Sequence, residues 1–256
     1  MMKFRSIAVL AGIVALASCD KNAVQDITGV VPQAKIRFFN FGVGTPSVNF
    51  FANDAKVTAV LSTAGTPVST GVAQGGVAAG GLYTGVSAGT YQFSAQISDT
   101  AIKNVKVTTI NQTIDVGKAY SFFISGLYDA TARTAEGFIL EDAYPAAFDY
   151  TQAYVRFVNA IYNSDAMTLY AKNQLTGIEV PIGGAVVYKK GGAFVPVPNG
   201  VYDLSTRVAG STTNVIVRTG VSFSFGSVYT IGARGDIMVV STTLANRPQL
   251  DNTLNR

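Results

Sequence analysis

Beyond residue 33 the chain alternates apolar and polar side chains in short blocks separated by Gly, Asn and Pro. Tyr91, Phe93, Ala95 and Ile97 alternate with Gln92, Ser94 and Gln96. Tyr120, Phe122 and Ile124 alternate with Ser121 and Ser125, and Phe123 breaks the pattern. Ile36, Phe38 and Phe41 stand against Arg37 and Asn40 in near alternation, as Tyr202 and Leu204 stand against Asp203 and Ser205. A period of two sends successive side chains to opposite faces of a strand, so each block predicts a half-buried strand with its polar residues toward water. No block after the N-terminal segment sustains a 3.6-residue apolar period, so helix is expected to be minor.

The blocks occur twice. Ala34-Lys-Ile-Arg-Phe-Phe-Asn40 matches Ala153-Tyr-Val-Arg-Phe-Val-Asn159 at an offset of 119 residues, and Val48, Phe50, Phe51 and Ala52 match Met167, Leu169, Tyr170 and Ala171 at the same offset. Gly89-Thr-Tyr91 matches Gly200-Val-Tyr202 at an offset of 111, and Gly117-Lys-Ala-Tyr120 matches Gly226-Ser-Val-Tyr229 at 109. An offset that shrinks only between blocks means loops shortened in the second copy while strands kept their register. So long a period indicates duplicated domains rather than a solenoid. About seven strands per copy fit a sandwich. The expected fold is all-β: two tandem antiparallel β-sandwiches, immunoglobulin-like or transthyretin-like, over residues 34–143 and 153–247. Residues 144–152 are expected as a linker with at most one helical turn, and 248–256 as a tail.

The first 33 residues differ. Lys3 and Arg5 precede an apolar run from Ser6 to Ala15, and the small residues Ala17 and Ser18 precede Cys19, the single cysteine of the chain. This arrangement resembles a bacterial lipoprotein signal over residues 1–18. The resemblance implies acylation of the Cys19 thiol and cleavage before it. A membrane span needs about 20 apolar residues, and this run is shorter. The polar segment that follows, through residue 33, reads as a tether of about 20 Å root-mean-square length. The expected location is the cell envelope, with the membrane as partner through the lipid; inner versus outer membrane stays open.

Composition narrows the chemistry. Histidine is absent from the chain, which removes the commonest general base and metal ligand. A lone cysteine forms no disulfide within the chain. The formal charge of +4 includes Lys3 and Arg5, and the one adjacent basic pair is Lys189-Lys190. A nucleic-acid surface needs clustered cations, so no nucleic-acid partner is expected. No cofactor and no metal site are expected either.

The opening Ala-Lys-Ile-Arg-Phe-Phe-Asn, the following Pro46-Ser-Val-Asn-Phe-Phe51, the Ala88-Gly-Thr-Tyr91 turn and the Gly117-Lys-Ala-Tyr120 strand start together resemble domain-of-unknown-function family 4397. The resemblance spans both copies and implies tandem β-sandwiches in bacterial secreted proteins and lipoproteins. It supplies no catalytic residues. Many members carry His after the first strand, where this chain has Asn40 and Asn159.

Two glycine-bearing segments hold equivalent places in the copies: Gly75, Gly76, Gly80 and Gly81 in the first, Lys189, Lys190, Gly191 and Gly192 in the second. Loops on a rigid scaffold commonly carry recognition, so these are the candidate binding loops. A phosphate loop would need Gly-Lys-Ser/Thr leading into a helix, and that motif is absent. Glu141-Asp142, the one adjacent carboxylate pair, reads as a solvated strand end, and Arg234-Gly235-Asp236 as a glycine-centred turn. The expected function is a non-enzymatic binding or assembly module for an envelope protein or polysaccharide. The alternative is a carboxylate-dependent glycan hydrolase using two acids among Asp99, Asp129, Asp165, Glu179 and Asp203.

Overall fold

The computed structural model describes residues 32–58, 62–63, 66–67, 70–99, 101–102 and 104–256. Cys19 and the signal lie outside the described residues. The first copy holds β1 (Ala34–Asn40), β2 (Val48–Ala52), β3 (Ala55–Lys56), β4 (Ser62–Thr63), β5 (Thr66–Pro67), β6 (Gly76–Val77), β7 (Thr84–Val86), β8 (Gly89–Ile97), β9 (Lys106–Ile114), β10 (Ala119–Asp129) and β11 (Thr134–Glu141). A 3-10 turn at Ala78–Gly81 lies between β6 and β7. The second copy holds β12 (Ala153–Asn159), β13 (Met167–Asn173), β14 (Glu179–Val186), β15 (Lys190–Gly191), β16 (Val195–Val197), β17 (Gly200–Val208), β18 (Ile216–Phe223), β19 (Val228–Arg234) and β20 (Gln249–Leu254).

Each copy is a sandwich of two sheets. In the first, β11-β10-β1-β6, with β7 also on β1, covers β3-β2-β8-β9. In the second, β20-β19-β12-β15, with β16 also on β12, covers β14-β13-β17-β18. The repeat offsets reappear as pairing register. Ile36 pairs with Tyr120 and Val155 with Tyr229; Phe38 pairs with Phe122 and Phe157 with Ile231. Thus the 119 and 109 offsets read from sequence describe the same strand pairs in both copies. Phe38 is fully buried and stacks on Phe50 at 4.9 Å between ring centres. Phe157 holds the equivalent place in the second core. Tyr120 and Tyr229 each bury the ring and accept a backbone N–H through the hydroxyl, from Asp115 and Ser224 respectively. The recurring glycines of this block are required by geometry: Gly117 and Gly226 have φ of +76° and +64°, the left-handed region that L side chains avoid.

Two expectations change. The sheets are not wholly antiparallel, since β1 runs parallel to β10 and β12 parallel to β19. A parallel neighbour needs a long crossover, and here the chain passes through the whole opposite sheet before returning. Residues 248–256 are not a free tail: β20 pairs with β19 along six residues as an edge strand of the second sandwich. Its sequence Gln-Leu-Asp-Asn-Thr-Leu carries little apolar signal because only Leu250 and Thr253 of the six are buried. The linker forms no helical turn. Instead Tyr144 stacks on Phe194 at 5.5 Å and Phe148 lies against Tyr154 at 4.6 Å.

The largest difference concerns the polar face of the first strand. Arg37 and Asn40, expected toward water, are fully buried, as are their counterparts Arg156 and Asn159. For the arginines the reason is a third apolar cluster drawn from both copies: Phe39, Phe41, Phe123 and Phe138 meet Val158 and Ala160. Asn40 and Asn159 lie on the opposite face, beside Phe38 and Phe157, and are buried inside their own sandwiches by loop and strand carbonyls. The β1 and β12 sheets therefore pack back to back, and both strands are buried on both faces. Strands buried on both faces lose clean alternation. Phe123, which broke the pattern, stacks on Phe39 at 4.4 Å and on Phe138 at 5.0 Å within this cluster. Approach is close: a Cβ on Gly232 would lie 2.7 Å from Phe41 Cε2.

Truncation of Phe38 to Ala is expected to cost about 3–5 kcal/mol, read by chemical denaturation. Because β1, β10 and β12 each contribute both to their own core and to the cluster between the copies, calorimetry of the full chain should give one cooperative transition. Two resolved transitions would show that the sandwiches unfold independently.

Candidate functional site

The most concentrated chemistry in the described residues lies between the copies. Arg37 on β1 and Arg156 on β12 are repeat equivalents with side chains at most 3% exposed. Two of the bonds each makes are equivalent. Nε of Arg37 donates to Ser121 Oγ and Nε of Arg156 to Thr230 Oγ1, both at 3.0 Å. Nη1 of Arg37 crosses to the carbonyl of Leu254 at 3.2 Å, and Nη1 of Arg156 crosses back to that of Glu141 at 3.1 Å. Leu254 and Glu141 are themselves equivalent, pairing with Tyr229 and Tyr120. Each guanidinium also lies 4.8 Å from an aromatic ring centre at one repeat position, Tyr83 over Arg37 and Phe194 over Arg156. Reciprocal contacts of this kind are those of an isologous dimer interface, made here inside one chain.

The symmetry breaks at the acid that the arginines share, and with it at the Nη2 bonds and the covering ring. Asp142 follows Glu141 in the first copy, and Asn255 follows Leu254 in the second. Far from being a solvated strand end, Asp142 is buried. Its carboxylate accepts from Arg156 Nη2, from Ser121 Oγ at 2.8 Å and from the Tyr83 hydroxyl, and lies 3.8 Å from Arg37 Nε. The Tyr83 and Tyr144 hydroxyls are 2.7 Å apart, and Asn255 Nδ2 donates to Tyr83 Oη at 3.4 Å. Burial, followed by the field of Asp142, pushes the Tyr83 phenol far above its ordinary value, so Tyr83 stays a protonated donor. Burial lowers the Arg37 pKa, with Tyr83 and Asp142 opposing the shift. Two guanidiniums thus share one carboxylate. Every oxygen of Asp142 is engaged, so the cluster holds the copies together rather than presenting an acid or base.

The candidate loops flank this interface. A Cβ on Gly75 would lie 2.7 Å from Arg234 Cζ, and one on Gly81 2.9 Å from Thr253 Cγ2, so both glycines face the second copy. Gly76 and Gly80 instead line a cleft of about 530 Å³ with Thr70, Val72, Ala78 and Leu82. The lining is apolar, without the convergent polar groups that orient a small ligand. In the second copy, Lys189 Nζ bonds Glu136 Oε2 of the first copy at 2.6 Å. Tyr188 Oη donates to the same oxygen at 2.8 Å and lies 2.9 Å from Ser125 Oγ. A Cβ on Gly191 would lie 3.0 Å from Leu140 Cδ1, and Gly192 N donates to Phe157 O. Lys190 is exposed. The equivalent placing of the two loops puts both beside the contact between the copies.

Other candidates resolve into structure. Asn40 Nδ2 donates to the carbonyls of Pro46 and Val72, and Asn159 Nδ2 to that of Val186, so these buried amides pin the loops that follow β1 and β12. Arg234 is ion-paired with Asp251, and Asp236 accepts from Asn163 Nδ2 at 2.8 Å, which builds Arg-Gly-Asp into the fold as a turn. Asp99 and Asp129 accept backbone N–H groups of their own turns. Among the described residues no group of three or more Cys, Asp or Glu could hold a metal, and no helix is long and apolar enough to cross a membrane.

Sequence reasoning missed the Arg37, Arg156 and Asp142 cluster. The available signal was an arginine at the same place in both copies, flanked by apolar residues on either side. No family model matches the chain, and no curated protein matches it. Among solved structures the chain is similar to a "putative cell adhesion protein" from Bacteroides ovatus, at 11% identity over 89% of this chain and 97% of that one, with a TM-score of 0.22. A TM-score so low carries no argument about function.

Asp142→Asn leaves two buried guanidiniums without an anion and is expected to cost about 3–5 kcal/mol. Adding Asn255→Asp should restore part of this loss by supplying a carboxylate at the equivalent position; paired denaturation curves check both. The Lys189 bond holds the Glu136 carboxyl below its ordinary range. A carboxyl lowered on folding stabilises above its unfolded pKa of about 4.3 and loses that contribution as pH falls through the folded value. Lys189→Met should therefore flatten the acid limb of stability against pH, by a small amount because both groups are part-exposed.

Proposed function

We propose that the chain is a lipid-anchored cell-envelope protein whose two sandwiches act as one rigid, non-enzymatic module that binds or assembles with an envelope protein or polysaccharide. The observation that carries this reading is the use of the most buried charged groups. Arg37, Arg156 and Asp142 all join the two copies, and none is left poised toward a cleft. A body stiffened in this way keeps its remaining surfaces at fixed spacing, which favours recognition by preorganisation. The surfaces left to a partner are the outer sheet faces. One carries exposed Thr90, Gln92, Asn111 and Thr113 on β8 and β9. The other carries Arg207, whose guanidinium lies 4.2 Å from the Tyr170 ring centre. Hydroxyls, amides and a stacked aromatic suit hydrogen bonding to a sugar chain or a protein edge. The anchor rests on the residues around Cys19, and kinship with family 4397 on the short motifs quoted above.

The glycan-hydrolase reading has one pair to work with. Glu179 and Asp203 both pair with Lys172, from either side, which places the two acids in one row across three strands. Two strand spacings put their backbones about 9.5 Å apart, near the separation used by inverting glycosidases. Both acids already hold partners: Glu179 bonds Arg207 at 2.7 Å, and Asp203 accepts from Gln174 at 2.7 Å.

Cys19→Ser should abolish incorporation of a fatty-acid analogue and leave unprocessed precursor; undiminished labelling would remove the anchor. Purified full chain should release no sugar from envelope polysaccharide while still being retained by it or by a protein partner. Hydrolysis that disappears in Glu179→Ala or Asp203→Ala, with the fold intact, would establish the enzyme instead.

A further inference from the structure

Strand direction gives the described body two poles, and one of them is where the tether joins. Residue 33 leads into β1, and its carbonyl accepts the N–H of Gly117 at 2.7 Å. β1 and β12 begin at this same pole: Lys35 Nζ lies 5.6 Å from the ring centre of Tyr144, which stacks on Phe194 of the second copy, and Tyr83 beside β1 meets Asn255 beyond β20. The ends of both strands lie at the other pole, where Gly75 faces Arg234.

The tether pole carries exposed apolar side chains on its turns; the opposite pole carries Leu127, Met238, Val240 and Leu244, so the arrival of the tether is what distinguishes this pole. Val116, next to the Gly117 that holds the tether, is 67% exposed, and Phe225 at the equivalent turn of the second copy is 59% exposed. Tyr150, 63% exposed, lies against Gly226, and its hydroxyl accepts from Arg256 Nη2. The turn between β13 and β14 adds Leu175 and Ile178, 94% and 63% exposed. That turn lies at the same pole because Asn173 pairs with Tyr202 at the start of β17. The charges nearby are mixed: Lys118 bonds Asp115 and Glu141 at 3.4 and 2.9 Å.

We propose that this pole is a membrane-contact surface, on which Val116, Phe225, Tyr150, Leu175 and Ile178 enter the interfacial zone of the bilayer that holds the anchor. The inference rests on the anchored reading of Cys19. Two observations select a lipid surface as the occupant. The tether ends within hydrogen-bond reach of the patch, so a coil of about 20 Å root-mean-square length keeps the patch close to the bilayer. At such an effective concentration a weak apolar contact is sufficient. The patch also combines bare apolar tips with a tyrosine hydroxyl beside an arginine, the residue types of a membrane–water boundary. Lys118 is already paired with Asp115 and Glu141, so the contact is carried by apolar insertion more than by attraction to anionic lipid.

The absence of tryptophan from the chain allows a clean test. Full-length protein carrying Phe225→Trp, and separately Val240→Trp in the segment after β19 at the opposite pole, is purified and placed in phosphatidylethanolamine–phosphatidylglycerol vesicles with brominated acyl chains. Fatty-acid labelling first establishes whether the preparation is anchored. With the anchor present, the Phe225→Trp chain should show blue-shifted emission and lose most of its intensity to the bromolipid, at low and high salt alike, while the Val240→Trp chain keeps its own. Equal lack of quenching in both labelled chains would overturn the contact and leave the anchor standing. If no label is incorporated the anchor has failed. Quenching of the unanchored Phe225→Trp chain would then still support the contact, and none would overturn it. A blue shift that grows with protein concentration without bromolipid quenching would assign the pole to a second copy of the chain and overturn the lipid reading.

Discussion

Two arginines and one aspartate, buried where the inner sheets meet, set the terms for the rest of the molecule. Removing such ions from water costs several kcal/mol for each, and that cost is met only if each guanidinium N–H finds an acceptor. The cluster does so by crossing between copies: Arg37 reaches the last strand of the second sandwich, and Arg156 reaches the last strand of the first. Around it lie Phe39, Phe41, Phe123, Phe138, Val158 and Ala160. Their contact is favourable over many relative placements because apolar burial is non-directional. Hydrogen bonds are not. The apolar cluster supplies the drive to associate, and the crossed arginines select one placing of sheet on sheet.

Duplication explains why this works with so few residues. A surface that binds a copy of itself uses each residue twice, so one arginine, one hydroxyl, one strand-end carbonyl and one aromatic ring per copy complete the interface. Placing both copies in one chain then lets them diverge. Tyr83 has become able to donate to Asp142, whereas its counterpart Phe194 only covers Arg156. Asp142 supplies the anion, whereas Asn255 retains a buried Oδ1 with no partner among the described residues. A self-associating single domain would have to carry the same residue at both positions.

The same duplication governs how much could be read from sequence. Strand positions, the all-β class and the shared register of the copies are local properties, expressed as a period of two and as fixed offsets, and so they were legible. Burial of a second face is not local. Arg37 looked solvent-facing because one copy alone would leave it so, and Asp142 looked like a strand end for the same reason. Asn40 is buried within its own copy, by the carbonyls of Pro46 and Val72 that only the fold brings to it. Phe123 was the visible trace, an apolar residue on a face that otherwise read as polar, and the recurrence of arginine at 37 and 156 was another. The candidate loops were recognised as equivalent, yet equivalence itself is what places both at the contact between copies. Strand β20 was lost because it buries only Leu250 and Thr253, too few positions to show a period of two.

Joining the copies also decides which surfaces remain for other work. The inner faces, the two glycine-bearing loops and the strands β6 and β15 are engaged in or beside the contact between sandwiches. What stays accessible is the outer sheet of each sandwich and the two poles, one of which receives the tether. In a flexible pair of domains those outer faces would sample many separations, and a partner touching both would lose affinity to their ordering. Fixed by the crossed arginines, they present two chemically different faces at constant spacing: hydroxyls and amides on the first, a stacked arginine and tyrosine between acids on the second. A partner engaging both would meet them already ordered, so the internal interface contributes to recognition without touching the partner.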